Sequence, residues 1–452
     1  MKRKPLGFGV SLWVLCLVVF LVILFGRWID GHRINYKNKK NIWNIVIMIS
    51  YKYRLYPTSK QRFRLEEQLD IAQELYNLLL QRCKDEYKQN KKTLSEFDIN
   101  NIIIDIKKEH QKYKKLNAQA AQNISKRIKE AYKGFFRRCK EKKQGKNIKV
   151  GFPRFKKFYK SITYRQNGFG FKSDRRLRVF KVGNIPIVLH RPIKGKIKTL
   201  TIKRTQSNNW YASFSVDDSD IRSTHIKHPH KDRQVGIDVG LTHFAVTTDG
   251  DFRENPKYLI KSSKRLKMLE RRKSRKKKGS NNRRKAILKV ARCHEKVVNQ
   301  RSDFMHKYSR ALVDYYGFIA VENLNITDMK KNNFLAKYIN DASWDQFKQM
   351  LSYKAEWAGG RVVCVDPRGT TQMCSGCGTI VPKTLKDRRH ECPNCGLSLH
   401  RDINASFNVL YRALEAVATA GRAGSQACGN NVRPLKPLAK KAVVNEAGTI
   451  CG

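Results

Sequence analysis

The chain has 452 residues, of which 94 are Lys or Arg and 37 are Asp or Glu, so its formal net charge is +57. This charge excludes an acidic or neutral metabolic enzyme. It favours a polyanionic partner, DNA or RNA above all, because self-repulsion on this scale destabilises a compact state unless a partner neutralises it. Hydrophobic residues make up 40% of the chain, which excludes a disordered basic tail and allows two or three packed cores.

Residues 6–26 (LGFGVSLWVLCLVVFLVILFG) contain no charged side chain, and Lys2, Arg3 and Lys4 precede them. A helix of this length spans about 30 Å, enough to cross a bilayer. One interpretation is therefore a membrane anchor. The other, which we favour, is a start-site artefact over residues 1–47, with the functional chain beginning at Met48. The residues after Met48, ISYKYRLYPTSKQ, have the pattern of a strand followed by a helix start, whereas residues 27–47 have no such pattern.

A strand and a long helix are the first elements predicted after Met48. Polar and apolar side chains alternate over residues 51–56, which indicates a strand. Thr58 and Gln61 have the spacing of a capping box, which predicts a helix from Ser59 to about Gln89. Its apolar residues recur with helical period: Phe63, Leu69, Ala72, Leu75, Leu78 and Leu79.

Two further helices are predicted near residues 95–113 and 117–142. The second carries basic side chains interleaved with Tyr132, Phe135 and Phe136, which is typical of a surface that neutralises phosphates and stacks bases. The same pattern also fits aromatic residues in a core and basic residues in solvent, and the sequence leaves both interpretations open.

The next region has the pattern of β structure. From Val150 to Val216, short apolar runs are broken by Gly, Pro and Asn, which predicts strands that form a small barrel. Residues 217–233 have almost no apolar side chains and are predicted to be a linker. The stretch after it, QVGIDVGLTHFAVTTDG, predicts two strands joined by a turn.

A dense basic segment follows, with 13 Lys or Arg among residues 264–285, inside a helical stretch predicted to continue to about Val313. Such a run is often only a solvated helix face, but this density favours contact with a nucleic-acid backbone. The candidate binding residues are Arg271, Arg272, Lys273, Arg275, Lys276, Lys277, Lys278, Arg283, Arg284 and Lys285.

Three acidic residues lie at the ends of predicted elements. Asp238 follows the apolar residues of a strand, Glu322 closes the apolar run 317–322, and Asp402 lies in the first turn of a predicted helix. Each position alone is a weak indication, since a carboxylate at a strand end is common. Together they supply hard oxygen ligands for two Mg²⁺ or Mn²⁺ ions, the donor set of metal-dependent phosphodiester hydrolysis.

Four of the eleven cysteines form two C-x-x-C pairs, Cys374 with Cys377 and Cys392 with Cys395. The spacing between the pairs is close to that of a zinc ribbon, and Gly378 and Gly396 follow the pairs where tight turns are needed. A site with four protein ligands has no open coordination position, so this zinc would be structural. The other seven cysteines have no ligand spacing and are predicted to be free or buried thiols.

In chain order, these motifs resemble those of the TnpB, or OrfB, proteins of insertion sequences. The resemblance covers nearly everything after Met48 and is carried by YKYRLYPT, GFPRFK, GIDVGL, RRKSRKKKGSNNRRKA, HEKVVNQRSDFMHK, VENLNI, DASWDQFKQMLSYKAEWAG, CSGC, CPNCG and HRDINASFN. It implies an RNA-guided DNA endonuclease related to type V CRISPR nucleases. By this resemblance Asp238, Glu322 and Asp402 are the acidic residues of a RuvC-like core with an RNase H-type α/β fold, and the zinc-binding segment is inserted before the last of them.

The predicted fold is therefore a multidomain α/β protein. Its predicted segments are the leader 1–47, a first barrel-wedge strand 48–58, a helical recognition domain 59–145, the β-barrel wedge 146–216, the linker 217–233, the RuvC-like core 234–370, the zinc ribbon 371–398, the last acidic motif 399–412 and a basic flexible tail 413–452. The resemblance also implies a guide RNA from the end of the element and a double-stranded DNA target with a short adjacent motif. The expected location is the prokaryotic cytoplasm, or a membrane if the leader is translated.

Two residues depart from the family pattern. His400 stands where the family often has Asp, and Ser406 where Ala is usual, but neither change removes an acidic ligand. Arg368, Lys383 and Arg401 are further candidates for substrate contact. Two other functions remain open from the residues alone: a nucleic-acid-binding regulator that does not cut, and a strand-joining transposase.

Overall fold

The structure is a computed structural model that describes residues 48–217, 230, 232–384 and 386–424. The predicted leader, most of the predicted linker and residues 425–452 of the predicted tail lie outside these ranges. The described chain divides into two compact units, one of residues 48–203 and 210–217, the other of residues 204–209 and the described residues from 230 onward. Across the described ranges, no helix combines the length and the apolar character that a membrane span requires.

The helices of the first unit are α1 (Ser59–Asn90), α2 (Glu96–Glu109) and α3 (Ala118–Lys143), with a short 3₁₀ turn at Gln111–Lys115. The predicted capping box begins α1. The Gln61 backbone N–H donates to Thr58 Oγ1 at 3.3 Å, and the Thr58 N–H donates to Gln61 Oε1 at 3.1 Å. These bonds satisfy two of the backbone donors that a helix start leaves unpaired.

The apolar faces of these helices only partly follow the predicted pattern. Four of the periodic residues of α1 are buried: Leu69, Ala72, Leu75 and Leu79. Phe63, which the period also placed in the core, is 69% exposed. In α3 the two interpretations of the aromatic residues each hold in part, because Tyr132 and Phe135 are buried whereas Phe136 is exposed.

Seven strands form the sheet of the first unit: β1 (Met48–Leu55), β2 (Ser161–Tyr164), β3 (Phe169–Ser173), β4 (Arg176–Val179), β5 (Gly183–Val188), β6 (Lys196–Arg204) and β7 (Trp210–Asp217). Their order is β2-β6-β7-β1-β5-β4-β3. The first strand pairs antiparallel with β7 along its whole length, from Met48 opposite Asp217 to Leu55 opposite Trp210. β2 and β3 are the two ends of this order, so all the strands that were predicted to form the barrel lie in one sheet.

The sheet of the second unit has five strands: β8 (Gln234–Asp238), β9 (His243–Thr247), β10 (Phe252–Glu254), β11 (Phe318–Glu322) and β12 (Arg361–Val365). Their order is β10-β9-β8-β11-β12. The first three strands form an antiparallel meander, whereas β11 runs parallel to both β8 and β12. The mixed α/β class predicted from the sequence is therefore confirmed.

The helices of the second unit are α4 (Tyr258–Ser274), α5 (Asn281–Tyr315), α6 (Ile326–Met329), α7 (Asn333–Ala342), α8 (Trp344–Ala358) and α9 (Arg401–Gly424). The basic stretch predicted as one continuous helix is instead a hairpin of α4 and α5. Gly279 has φ +84°, and the Ser280 side chain caps α5 by accepting from the Arg283 N–H, so the chain turns there. At the other end, α9 passes through the predicted tail boundary at Ala413, because that residue is buried in the core.

Helices cover the two faces of the five-stranded sheet. Ile319 and Val321 of β11 point into a core formed with α5 and α8, where Met305 and Phe347 are fully buried. Ala320 points to the opposite face, where it packs against α9. Parallel strands that are buried on both faces consist of nearly continuous apolar residues. This is why VGID and FIAVE do not alternate between polar and apolar residues.

Gly236 of β8 sets the distance between the sheet and α9. A Cβ at this position would lie 2.0 Å from the Ser406 carbonyl oxygen and 2.9 Å from Leu410 Cβ. We expect Gly236→Ala to move α9 away from β8 and to lower the melting temperature of this unit by about 4–10 °C, since forced overpacking costs about 1–3 kcal/mol. Thermal unfolding followed by circular dichroism measures the change. Gly170→Ala is the control, because a Cβ there meets nothing within 4 Å; equal melting temperatures for the two variants would contradict the prediction.

Candidate functional site

Two of the three predicted acidic residues end adjacent parallel strands. Asp238 is the last residue of β8 and Glu322 the last residue of β11, and the register pairs Ile237 with Val321 just before them. The carboxyl ends of parallel strands lie at one edge of the sheet, so these side chains are neighbours. Both residues are more than nine-tenths buried.

The third acidic residue comes from the start of α9. Asp402 lies in the first turn of this helix, and its carboxylate is 3.6 Å from Arg401 Nε. His400 Nδ1 accepts from the Asp402 backbone N–H at 3.2 Å, the bond that an N-cap carboxylate would make. Burial lowers the pKa of His400 and so favours the neutral imidazole that this bond requires. The departure at His400 therefore preserves the helix start.

The acidic residues of the site influence one another's protonation. Burial raises the pKa of Asp238 well above its usual value, and the charges of Glu322 and Asp402 raise it further. Burial also raises the pKa of Glu322 to about 7, against the opposing effects of Thr370 and Arg412. Buried carboxylates that repel one another are costly unless a proton or a cation neutralises them.

The donor set fits hard divalent cations, which prefer carboxylate oxygens. Among the described residues, the three carboxylates do not form as compact a set of donor atoms as the four cysteines. Within the described ranges, the four cysteines are the one set of three or more His, Cys, Asp or Glu residues whose donor atoms all lie within 4.8 Å of one another. A wider spread is compatible with two ions about 4 Å apart, each held by some of the carboxylates.

The four predicted zinc ligands converge beside the hairpin of β13 (Arg389–Glu391) and β14 (Ser398–His400). The Sγ atoms of Cys374 and Cys395 are 3.6 Å apart, and those of Cys377 and Cys392 are 3.5 Å apart. Four sulfurs about 2.3 Å from one zinc ion would be separated by about 3.8 Å, so the cluster fits tetrahedral thiolate coordination.

The two cysteine pairs form equivalent turns. The Gly378 N–H donates to the Cys374 carbonyl at 2.8 Å, and the Gly396 N–H donates to the Cys392 carbonyl at 2.9 Å. Both glycines have φ between +70° and +78°, as the sequence predicted for these positions. The described cysteines outside the cluster, Cys83, Cys139, Cys293 and Cys364, are free thiols.

The basic candidates occupy the hairpin between α4 and α5. Eight of the ten are exposed: Arg271, Arg272, Arg275, Lys276, Lys277, Lys278, Arg284 and Lys285. Arg283 is partly buried and has a structural role, because its Nη1 donates to the Lys273 and Lys276 carbonyls. Lys273 forms an ion pair with Glu270. The exposed face therefore consists of the other eight residues.

Two further candidates for substrate contact donate hydrogen bonds to backbone carbonyls of the protein itself. Lys383 Nζ donates to the Thr371 carbonyl at 2.9 Å and contacts His390 Nδ1. Arg401 Nη1 donates to the Thr384 and Asp387 carbonyls at 3.2 Å, which ties α9 to the cysteine segment. Arg368 is exposed.

Sequence reasoning missed three residues of α9 that hold the loop 366–373, which joins β12 to the first cysteine pair. Asn404, Asn408 and Arg412 recur every four residues, so they lie on one face of the helix, and each donates to backbone carbonyls of this loop. We call these three residues the α9 clamp. The N-x₃-N-x₃-R spacing was visible in the sequence, but its target was not.

Comparisons with known proteins agree with the sequence motifs. A family model described as "Probable transposase" matches residues 213–333, one described as "Cas12f1-like, TNB domain" matches 344–409, and one described as "Helix-turn-helix domain" matches 47–92. The last range holds β1 and the single helix α1. Together the three models match about half of the chain.

Curated relatives match over most of the chain. A protein of Streptomyces pristinaespiralis named "Putative RNA-guided DNA endonuclease" is 29% identical over 395 residues, 86% of this chain and 92% of the relative. The Escherichia coli protein InsQ, with the same description, is 29% identical over 410 residues, 86% of this chain and 96% of the relative. The solved structure of a mini-RNA-guided endonuclease, CRISPR-Cas phi3, covers 81% of this chain and 92% of its own at 12% identity, with a TM-score of 0.44.

The matching models place the chain in the class of transposase-type proteins. Within that class, the full-length relatives and the ordered motifs identify the family. The chain belongs to the TnpB, or OrfB, family of insertion-sequence proteins.

Proposed function

We propose that this chain is an RNA-guided, metal-dependent DNA endonuclease that hydrolyses phosphodiester bonds at Asp238, Glu322 and Asp402. The observation that carries the proposal is that buried Asp238 and Glu322 end adjacent parallel strands of one sheet, close enough for Glu322 and Asp402 to raise the pKa of Asp238. The net charge of +57 supports a nucleic-acid substrate. The relatives' names support the RNA guide and the DNA substrate. The strand order and the cysteine cluster support an RNase H-type, RuvC-like core with an inserted zinc ribbon.

In this proposal Asp238, Glu322 and Asp402 hold two Mg²⁺ or Mn²⁺ ions, which supply activation of a water and stabilisation of the leaving oxygen. The protein's own contribution is to hold the three carboxylates at fixed positions. Asp238 and Glu322 are fixed by their strands, and Asp402 is fixed by the packing of α9 on β8. Arg401 and Arg412 offset part of the negative charge, which keeps the cluster from repelling itself apart.

Recognition would be divided between protein and RNA. The guide pairs with the target strand and reads its sequence, while the protein contacts backbones and a short DNA motif. The exposed face of the α4–α5 hairpin supplies cations for the phosphates. In the first unit, Phe152, Phe155 and Phe158 are each about half exposed or more, and Lys84 and Lys160 lie over two of these rings. Such exposed aromatic rings among cations suit unpaired bases.

The test is to express the chain from Met48 beside its native downstream flank, sequence the RNA that copurifies, and give the complex a plasmid library with a randomised region next to the target. We expect cleavage that requires Mg²⁺ or Mn²⁺, depends on one short motif and leaves 5′-phosphate and 3′-hydroxyl ends. Binding without cleavage would support the regulator alternative, and joined strands would support a transposase in the strict sense. Either outcome would refute the proposal.

Removing three charges from the hairpin should weaken RNA binding in a salt-dependent way. We expect Lys276→Gln, Lys277→Gln and Lys278→Gln together to reduce the slope of log affinity against log salt by about two, since each phosphate contact on a single strand contributes about 0.7. The control removes three cations that already have acidic partners: Lys307, Arg310 and Lys331. Fluorescence anisotropy at several salt concentrations gives both slopes. Equal slopes for the two triple variants would show that the hairpin does not contact RNA.

A further inference from the structure

Glu322 has a hydrogen-bond donor that its role as a metal ligand does not explain. Thr370 Oγ1 donates to Glu322 Oε1 at 2.8 Å, and Thr370 is only 2% exposed. Thr370 lies in the loop 366–373, outside the strands and helices that carry the three carboxylates. The bond therefore couples the catalytic edge of the sheet to a separate piece of chain.

The hydroxyl has a choice of acceptors, because Pro367 O also lies 2.9 Å from Thr370 Oγ1. A hydroxyl carries one hydrogen, and a carboxylate is a stronger acceptor than a neutral carbonyl. When Glu322 is ionised, the hydrogen therefore favours Glu322. The interaction involves one oxygen of the carboxylate, Oε1, and leaves Oε2 outside the bond with Thr370.

The loop that carries Thr370 is held at both ends. On the β12 side, Arg412 Nη1 donates to the Asp366 carbonyl at 2.8 Å and to the Arg368 carbonyl at 2.6 Å. In the middle, Asn408 Nδ2 donates to the Thr370 carbonyl at 2.8 Å and to the Met373 carbonyl at 2.6 Å. The α9 clamp thus fixes the backbone on either side of the Thr370 hydroxyl.

The far end of the loop is tied to the first cysteine pair. Asn404 Nδ2 donates to the Met373 carbonyl at 2.7 Å, and the Ser375 backbone N–H donates to Asn404 Oδ1 at 2.9 Å. Both asparagines are almost completely buried. The network reaches two of the three acidic residues. Glu322 accepts a hydrogen bond from Thr370, and Asp402 lies in the first turn of α9, the helix that carries the clamp.

We propose that Thr370 is a positioning residue that orients Glu322 for metal binding, and that the α9 clamp holds Thr370 in place. The inference rests on the proposed function, since it takes Glu322 to be a metal ligand. Residues that hydrogen-bond to metal ligands typically change metal affinity ten- to a hundredfold when they are replaced. The effect of Thr370 should therefore appear first in metal affinity.

The test measures Mn²⁺ binding to the zinc-loaded protein–RNA complex by electron paramagnetic resonance, with the Asp238→Ala complex as the baseline for sites elsewhere, including those on RNA. Thr370→Val keeps the shape of the side chain and removes the hydroxyl, and we expect it to weaken the Asp238-dependent Mn²⁺ site about ten- to a hundredfold. Thr370→Ser restores a hydroxyl and should bind within about threefold of the original chain. Thr371→Val makes the same change one residue later, at a side chain outside this network, and should have no effect.

Zinc content and melting temperature separate positioning from a general loss of structure, because only positioning predicts rescue by serine at unchanged zinc content. The inference is overturned if Thr370→Val binds Mn²⁺ as the original chain does, or if Thr370→Ser is as weak as Thr370→Val. If the valine variant does not fold, Thr370→Ala compared with Thr370→Ser decides the same question. A Mn²⁺ titration that Asp238→Ala leaves unchanged would instead refute the carboxylate site itself.

Discussion

Asp238→Asn should abolish DNA cleavage while raising the stability of the metal-free protein. Losing one carboxylate ligand removes several kcal/mol of charge stabilisation, so we expect the cleavage rate to fall by about 10³-fold or more. RNA affinity should be unchanged, since the hairpin that supplies the phosphate contacts is separate in sequence from this residue. Cleavage of a matched plasmid at saturating Mg²⁺ measures the first effect, and RNA anisotropy measures the second.

The substitution should stabilise the metal-free protein because the pKa of Asp238 is higher in the folded chain than in the unfolded chain. Stability therefore falls as pH rises from the unfolded pKa through the folded one, and an asparagine, which cannot ionise, avoids this loss. At pH 8 without divalent metal we expect a melting temperature about 3–5 °C higher. Glu254→Gln removes an exposed carboxylate from the same sheet and is the control. Full cleavage by Asp238→Asn would contradict the catalytic assignment.

Cys392→Ser should empty the four-cysteine site and disorder the segment around it. Zinc binding to such sites contributes about 10–16 kcal/mol near pH 7 in isolated peptides, and hydroxyl oxygen is a poor replacement for thiolate. We expect the zinc content to fall from about one ion per chain to near zero and cleavage to be lost, since the segment leads directly into Asp402 and α9. Elemental analysis gives the zinc content, and limited proteolysis reports the disorder.

The control for this variant is Cys364→Ser, which alters an exposed thiol outside the cluster. It should keep its zinc and its resistance to proteolysis. Full zinc content in Cys392→Ser would mean that the four sulfurs do not act as one metal site.

Elements with local chemical signals were predictable. The capping box at Thr58 and Gln61 needs only a three-residue spacing, and the glycine turns after Cys374 and Cys392 follow from the two pairs. The strand ends at Asp238 and Glu322 were visible because short apolar runs stop there. In each case the residues that specify the feature are neighbours in sequence.

Features that depend on distant residues were harder to predict. The sheet of the first unit depends on which strands pair across more than a hundred residues, and the alternating pattern of a strand does not specify its partner. The break between α4 and α5 had a local signal in Gly279 and Ser280, but the uniform basic charge around them concealed it. The α9 clamp could not be predicted, because nothing in the spacing of Asn404 and Asn408 identifies the loop that they bind.

The position of Asp402 along the chain has a consequence for synthesis. The basic hairpin and the first two carboxylates are complete by Glu322, but the third arrives only with α9, after the cysteine segment has formed. A chain that ends before Arg401 therefore carries the cationic hairpin but lacks one of the three proposed metal ligands, together with the helix that packs on β8. We expect such a fragment to lack the cleavage that we propose for the whole chain.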